Sequence, residues 1–484
     1  MTDFDWNKIK KIFFVGIKGV GMTPLALIAK DAGFEIMGSD MAEEFITDEV
    51  LIRNKIKVVD FSEDRIEEFF GNEDRKNCLV ITTGAHSGYA NSQVVKAKDL
   101  GIKFLNQGQA LGIFMSGEVF NKKFEGITVT GSHGKTTISA MVASSLVLAG
   151  FDPSYMVGTS IIFPIGPSGH LGKGKYFVAE GDEYVGEVVF DRTPKILYQK
   201  PKFAIINNID FDHPDIYKSI DDIKNVMTDF VNGMEENGTL FVNSDDKNTM
   251  DVIDKFRKDI KIITFGERDA DYVISNIAEN LGSVRFSAGR KNETPQKYTL
   301  EIPGIHNAKN ALAVIALLDE LGISDNAKSD FISKYKGCRR RMELIGKTLS
   351  GAQIVDDYGH HPNEIKSTLL ALKKFYGKKI ICVFQSHTYS RTQKLLKDFT
   401  LSFGDVDELI LIPIFKSQRD TELDIISHED FSKPFKKEIR NLYIAESLAD
   451  AESYLRQKVY DNQYLIVTIG AGDVYKIGYN LIEK

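Results

Sequence analysis

Two glycine-rich stretches, each placed after a short apolar run, are the first residues in this chain whose types and spacing could do chemistry. "GIKGVGM" spans 16–22 and "GSHGKTT" spans 131–137. Such a loop lets backbone N–H groups approach a phosphate at a helix N-terminus, so two of them, far apart in the chain, predict two phosphate-bearing ligands in two domains. In the second loop Gly131, Ser132, His133 and Gly134 would wrap a polyphosphate, Lys135 adds a positive charge, and Thr136 and Thr137 open the following helix. The Thr136 hydroxyl is placed to ligate Mg2+. The loop is a variant, because Val129 stands where G-x-x-x-x-G-K-[ST] has its first glycine.

Two acidic stretches come next. "AEGDE" and "DFDHPD" crowd Glu180, Asp182, Glu183, Asp212, His213 and Asp215 behind apolar runs. A hard cation needs oxygen ligands, and Mg2+ takes few protein carboxylates when nucleotide phosphates supply the rest. Glu180 and His213, with Thr136, are the expected metal ligands. Taken singly, either stretch would read as a solvated acidic loop; together, on one nucleotide-binding sheet, they read as a site.

The elements that must position these residues alternate between strand and helix. "KIFFVGI", "MTPLALIAKDAG" and "FEIMGSD" form a βαβ pattern, and "CLVITTGA" and "IKFLNQ" continue it, so residues 1–122 predict a Rossmann-like, doubly wound α/β domain. Residues 123–335 predict a central P-loop-type α/β domain. It is built on "GITVTGSHGKTT", "GKYFVAEGDE" and "FAIINNIDFDHPD", with "DYVISNIAENLGSVRFSAG" and "KYTLEIPG" as antiparallel strands and "IHNAKNALAVIALLDELG" as a closing helix. Residues 336–484 predict a second Rossmann-like unit, with strands in "AQIVDDYGHHP", "KIICVFQSH", "ELILIPIF", "NLYIAES" and "YLIVTIGAGD". In parallel α/β sheets ligands gather at the carboxyl ends of the strands, so the polar tips should converge.

Length and composition agree with this plan. A chain of 484 residues exceeds one ordinary hydrophobic core, and 43% hydrophobic with 27% charged residues is the balance of a soluble globular protein. There is no apolar run of bilayer-spanning length and no apolar stretch behind the N-terminal charges, so a cytoplasmic protein without a membrane partner is expected. A net charge of −7 argues against a nucleic-acid backbone as ligand. Cys78, Cys338 and Cys382 are odd in number and widely spaced, which predicts reduced thiols rather than disulfides or a thiolate metal site.

In this order the motifs "GIKGVGM" with "GSD", "GSHGKTT", "AEGDE", "NNIDFDH", "GIHNAKNA", "RRRMEL", "DDYGHHP", "FQSHTYSRT" and "GAGDVY" resemble those of the Mur ligase family, the ATP-dependent amide-forming enzymes of peptidoglycan precursor synthesis. The resemblance covers all three regions. It implies a first domain that holds the UDP of UDP-N-acetylmuramate through Gly16, Gly19 and Gly21, with Ser39 and Asp40 beside the ligand. It implies ATP and Mg2+ on the central domain, with His306, Asn307 and Asn310 around the adenine, and Arg341 and Asp357 reaching phosphate and ribose from the third domain. The lactyl carboxylate would be activated as an acyl phosphate and attacked by an amino group. Lys135, Glu180 and His213 would serve the activation, and His361, His387 and Arg391 would orient the incoming amino acid.

The third-region tips resemble family members that add L-alanine. "EGDEY", "LYQKPKFAIINNIDFDHPDIY" and "NQGQALG" resemble members that attach a tripeptide to the same sugar, and Asn106 stands where the L-alanine enzymes carry arginine. L-alanine is the expectation, because the third domain would hold the nucleophile. Lys18 stands where the family often has glycine. A nicotinamide dehydrogenase would account for the first loop and Asp40 but for nothing after them. A non-catalytic nucleotide-sugar-binding regulator on the same fold would not require Lys135, Thr136, Glu180 and His213 together. A monomer or homodimer is expected.

Overall fold

The computed structural model describes residues 5–213, 215–416 and 425–482. Among the described residues it contains three principal sheets, one in each of the regions expected from sequence. The first has the order Lys57–Val59, Glu35–Ser39, Lys11–Val15, Cys78–Thr82, Lys103–Asn106. All four pairings in it are parallel. Lys11–Val15 reads KIFFV and four of its five residues are buried, as a strand covered on both faces requires.

The second sheet has ten strands. At its centre Glu125–Thr130 lies parallel to Tyr176–Gly181 on one side and Phe203–Ile206 on the other. The register sets Val129 beside Glu180 and Thr130 beside both Gly181 and Ile206, so the phosphate loop and both acidic stretches leave the sheet at one edge. Thr239–Asn243 and Lys261–Gly266 extend the parallel run. The hairpin Ser154–Ile162 with Gly166–His170 at the far end was not read from sequence, nor was the short ribbon of Val185–Glu187 and Asp191–Pro194. Glycine and proline interrupt both stretches and mask their strand pattern.

The third sheet runs Glu343–Lys347, Gln353–Asp357, Tyr464–Ile469, Lys379–Phe384, Glu408–Leu411, Leu442–Ile444. It is parallel except at its first strand. Asp357 and Phe384 both register with Ile469, which brings the "DDYGHHP", "IGAGD" and "FQSH" tips to one edge.

The chain divides into two compact units. One comprises residues 1–274, 288–296 and 310–335 and holds the phosphate loop and the whole first sheet; the other comprises 275–287, 297–309 and 336–484. No described helix is long and apolar enough to cross a membrane. The three cysteines are buried and form no disulfide among the described residues.

Candidate active site

The helix Lys135–Leu148 begins at the second glycine loop, with Gly134 as its N-cap at φ +86°. A side chain at Gly134 would stand 2.7 Å from the Asn207 amide nitrogen, so only glycine keeps this cradle open. The loop is pinned by the neighbouring strand tip. Asn208 accepts the His133 N–H at 2.8 Å, Asn207 donates to the His133 carbonyl at 3.0 Å, and Ser132 exchanges hydrogen bonds with the Asp210 backbone at 2.9 and 2.8 Å. "NNID" therefore works as a brace for the phosphate loop, a role that sequence reasoning missed. The available signal was two amide side chains at the tip of a strand adjacent to the loop.

Lys135 turns its ammonium to the Gly131 carbonyl at 2.6 Å and to the Glu183 carboxylate at 3.0 Å. Burial alone would lower the lysine pKa, but Glu183, Asp182 and Asp212 outweigh it and the value is raised. Burial likewise pushes Glu183 upward, and Lys135 and His213 overcome it, holding the carboxyl below its ordinary range. The pair is charged on both sides.

Thr136 and Glu180, both expected to ligate metal, lie 3.3 Å apart, and Glu180 also accepts the Gly158 N–H at 2.7 Å. His213 is gathered with Glu183 and Asp212, whose ligand atoms lie within 4.8 Å of one another. Octahedral Mg2+ at about 2.1 Å needs neighbouring ligand atoms about 3 Å apart and opposite ones about 4.2 Å apart. His213 Nε2 lies 3.6 Å from the Glu183 carboxylate and 3.8 Å from that of Asp212, between those two spacings, and the donors are mainly oxygen. Glu183 and Asp212 thus join His213 as candidate ligands, where the sequence reading had chosen Glu180. Tyr184 packs edge-on against the His213 ring at 4.9 Å and donates to Asp215 at 2.7 Å, which fixes the imidazole.

At the first loop Gly16 has φ +80° and donates to the Ser39 carbonyl at 2.9 Å. Gly19 donates back to Gly16, and Gly21 lies against Gln107. Ser39 and Asp40, expected beside the ligand, make hydrogen bonds that brace the loop. Ser39 is fully buried and gives its hydroxyl to Gln93 at 2.5 Å, while Asp40 is 5% exposed and accepts the Lys18 N–H at 2.7 Å. A carboxylate that ends a strand beside an N–H-rich loop satisfies those donors. Lys18 directs its ammonium to the Glu43 carbonyl at 2.7 Å and to Asp48 at 3.2 Å. Asn106 is buried and tied to Asp191 at 2.7 Å, across to the central ribbon.

The three residues expected around adenine share the helix Ile305–Glu320, and the division between units falls between Lys309 and Asn310. Asn310 accepts from Asn207 at 3.2 Å, next to the phosphate loop. Asn307 donates to the Pro303 carbonyl at 2.7 Å. Burial pushes the His306 imidazole down to about 4, so it is neutral at pH 7. Thr137 offers its carbonyl to the Tyr335 hydroxyl at 3.5 Å.

In the second unit Asp357 is 5% exposed and accepts the Met342 and Gly359 N–H groups at 2.9 Å each. Burial raises its pKa, and the nearby Arg341 only partly offsets this. Arg341 lies over the Tyr358 ring at 5.5 Å. His361 caps the helix Pro362–Tyr376 by accepting the Asn363 N–H at Nδ1. His387 stacks on Phe415 with centroids 5.3 Å apart, and Arg391 is buried in the first turn of Tyr389–Thr400. These residues leave the sheet at the common edge described above. The arrangement offers a phosphate cradle with a charged lysine, a cluster of candidate cation ligands beside it, and in the other unit an arginine in the first turn of a helix, suited to a carboxylate.

Comparison with known proteins accounts for the whole chain. Residues 11–118 match the family model "Mur ligase family, catalytic domain", 129–318 match "Mur ligase middle domain", and 340–472 match "Mur ligase, glutamate ligase domain". The chain is 36% identical to a UDP-N-acetylmuramate–L-alanine ligase of Desulfitobacterium hafniense, over 97% of this chain and 99% of that one. It is 34% identical to the enzyme of the same name from Caldanaerobacter subterraneus, over 100% and 99%. Among solved structures, the UDP-N-acetylmuramate-alanine ligase of Thermotoga maritima superposes with a TM-score of 0.79 at 23% identity, covering 97% of this chain and 98% of that one. A murein peptide ligase from Psychrobacter arcticus gives 0.71 at 22%, covering 98% of each chain; both show the same fold. With its three regions matched in order and nearly its full length aligned to curated relatives, the chain belongs to the Mur ligase family.

Proposed function

We propose that the chain joins L-alanine to the lactyl carboxylate of UDP-N-acetylmuramate, with ATP and Mg2+ as the energy source. The family's reaction is ATP-dependent amide-bond formation in peptidoglycan precursor synthesis, and this chain is an enzyme of that kind. The observation that carries the choice of substrates is the full-length 36% identity to a relative whose name specifies both of them. The domain division at 122/123 and 335/336 follows, with UDP-sugar, ATP and amino acid assigned to the three regions in that order.

ATP supplies the phosphoryl group that converts the carboxylate to an acyl phosphate, and Mg2+ offsets the charge on the phosphates. In this reading the first N–H groups of the helix Lys135–Leu148 and the Lys135 ammonium hold the phosphates in place. Thr136 and Glu180 form one set of cation ligands, and Glu183, Asp212 and His213 a second. His306, Asn307 and Asn310 hold the base, and Arg341 and Asp357 hold phosphate and ribose. Gly16, Gly19 and Gly21 shape the loop that receives the UDP diphosphate. Arg391 forks onto the amino-acid carboxylate, and His361 and His387 confine the amine.

Phosphate release from ATP that requires both UDP-N-acetylmuramate and L-alanine tests the reading; release without either, or none at all, overturns it. Glu180→Gln and His213→Ala should each raise the Mg2+ concentration needed for half-maximal rate and lower the maximal rate about 10-fold or more. A Mg2+ titration of both variants checks this, and curves that overlay the wild type would remove the acidic tips from the metal site.

A further inference from the structure

The linker "GCRRRM" carries three arginines, and the proposed reaction uses only Arg341. Its neighbour Arg340 is the interior one. It is 4% exposed, and its guanidinium lies between the Tyr475 ring at 4.5 Å and the Tyr358 ring at 5.0 Å. Its Nε donates to Asp356, itself fully buried, at 3.0 Å. Its two terminal nitrogens donate to the carbonyls of Gly470 and Gly472. The backbone is committed as well, since the Arg340 N–H goes to Glu343 at 2.9 Å and its carbonyl accepts the Tyr358 N–H at 2.8 Å.

The two carbonyls belong to the "GAGD" tip, which itself supports the next strand tip. The Gly470 N–H donates to the Asp357 carbonyl at 3.0 Å, and a side chain at Gly470 would meet the Gln385 carbonyl at 2.4 Å. The Gln385 side chain accepts the Val474 N–H at 3.1 Å, and Gly472 lies against Phe415, the ring on which His387 stacks. One planar fork therefore ties together the tips that carry Asp357, His387 and the start of the Arg391 helix, while its own peptide is joined to Arg341. Lysine, with a compact point charge, cannot make the three divergent bonds or lie flat between two rings.

We propose that Arg340 is a positioning residue for ligation. It sets the amino-acid tips and the Arg341 linker in one rigid frame inside the second unit, without touching a substrate. The proposal rests on the L-alanine reading above.

The test compares wild type with Arg340→Lys, and with Tyr475→Leu as a second variant that removes one ring and leaves the hydrogen bonds. In both, KM for L-alanine should rise about 10- to 100-fold and kcat should fall, because small misplacements of reacting groups cost rate steeply. Affinity for UDP-N-acetylmuramate, held by the first unit, should stay within about 2-fold. Backbone amides at 470–474 and 386–388 should exchange hydrogen at least about 10-fold faster, and those at 16–22 and 131–137 should not change. Unmoved KM and kcat overturn the proposal whatever the exchange shows, and so does a loss of sugar binding that parallels the loss of turnover. A wild type inert towards L-alanine defeats the substrate reading alone. The same kinetic split is then read with the tripeptide L-alanyl-γ-D-glutamyl-meso-diaminopimelate, and the exchange pattern must still hold.

Discussion

Lys135→Met is expected to lower turnover by about 10³-fold or more while leaving UDP-N-acetylmuramate affinity within about 2-fold of wild type. The first effect follows from loss of the ammonium that the phosphate loop itself carries, held at the Gly131 carbonyl. The second follows because Gly16, Gly19 and Gly21 sit on a different sheet. The same substitution takes from Glu183, whose side chain is 1% exposed, its nearer cationic partner, Lys135 at 3.0 Å, and leaves His213 at 3.6 Å. Breaking a buried pair from one side costs about 3–5 kcal/mol, so the single variant should also unfold more readily. Adding Glu183→Gln should return most of that stability and none of the turnover.

The pH dependence follows the same pair. Glu183 has a depressed pKa, so its contribution is present above the ordinary carboxylate value of 4.5 and is lost as pH falls through the folded-state value. That acid loss should be smaller in Lys135→Met, where only His213 still favours the Glu183 carboxylate. Denaturant melts at several pH values, with sugar binding and turnover measured on the same samples, check all of these outcomes. A folded variant that loses sugar binding and turnover together would contradict the division between the two phosphate loops.

Arg391→Ala is expected to weaken the amino-acid step selectively. A charge-assisted contact to a carboxylate contributes about 1.5–3 kcal/mol, which corresponds to roughly a 10- to 100-fold loss in kcat/KM for L-alanine. Affinity for the UDP-sugar should not change. His387→Ala should follow in the same direction, because its ring is held flat on Phe415 and can confine the amine only from that pose. Steady-state kinetics with L-alanine varied at saturating ATP and UDP-sugar separates the effect on KM from that on kcat. Equal losses for every substrate would assign Arg391 to the frame of the helix Tyr389–Thr400 rather than to the ligand.

The layout of the fold was legible because its signals are local. Apolar runs such as KIFFV, ended by glycine, marked parallel strands, and the helix Ile305–Glu320 carried its own period. The polar tips converge as the strand-end rule expects, since Val129 registers with Glu180 and Asp357 with Ile469. What the sequence hid is which polar residue of a tip faces a ligand and which faces its neighbours. That Ser39 bonds Gln93 and Asp40 the Lys18 N–H could not be read from their position at a strand end. Asn207 and Asn208 look unremarked until they brace the phosphate loop. Glu180 and Glu183 differ by three positions in one stretch, and only the geometry shows that Glu183 pairs with Lys135 and clusters with His213. Arginine runs behave the same way. Arg340 and Arg341 are adjacent, yet Arg340 is nearly fully enclosed by its own unit.

The central claim is the identity of the nucleophile, and the most direct measurement is a competition. Purified enzyme receives ATP, Mg2+ and UDP-N-acetylmuramate with L-alanine and the tripeptide L-alanyl-γ-D-glutamyl-meso-diaminopimelate in one vessel, and the two products are separated by mass. The account predicts that the L-alanine adduct dominates, with kcat/KM higher by about 100-fold or more, since a site built to hold one small amino acid by its carboxylate rejects a peptide that carries that carboxylate elsewhere. A dominant tripeptide adduct would contradict it and assign the substrate choice to the central "EGDEY" stretch and Asn106.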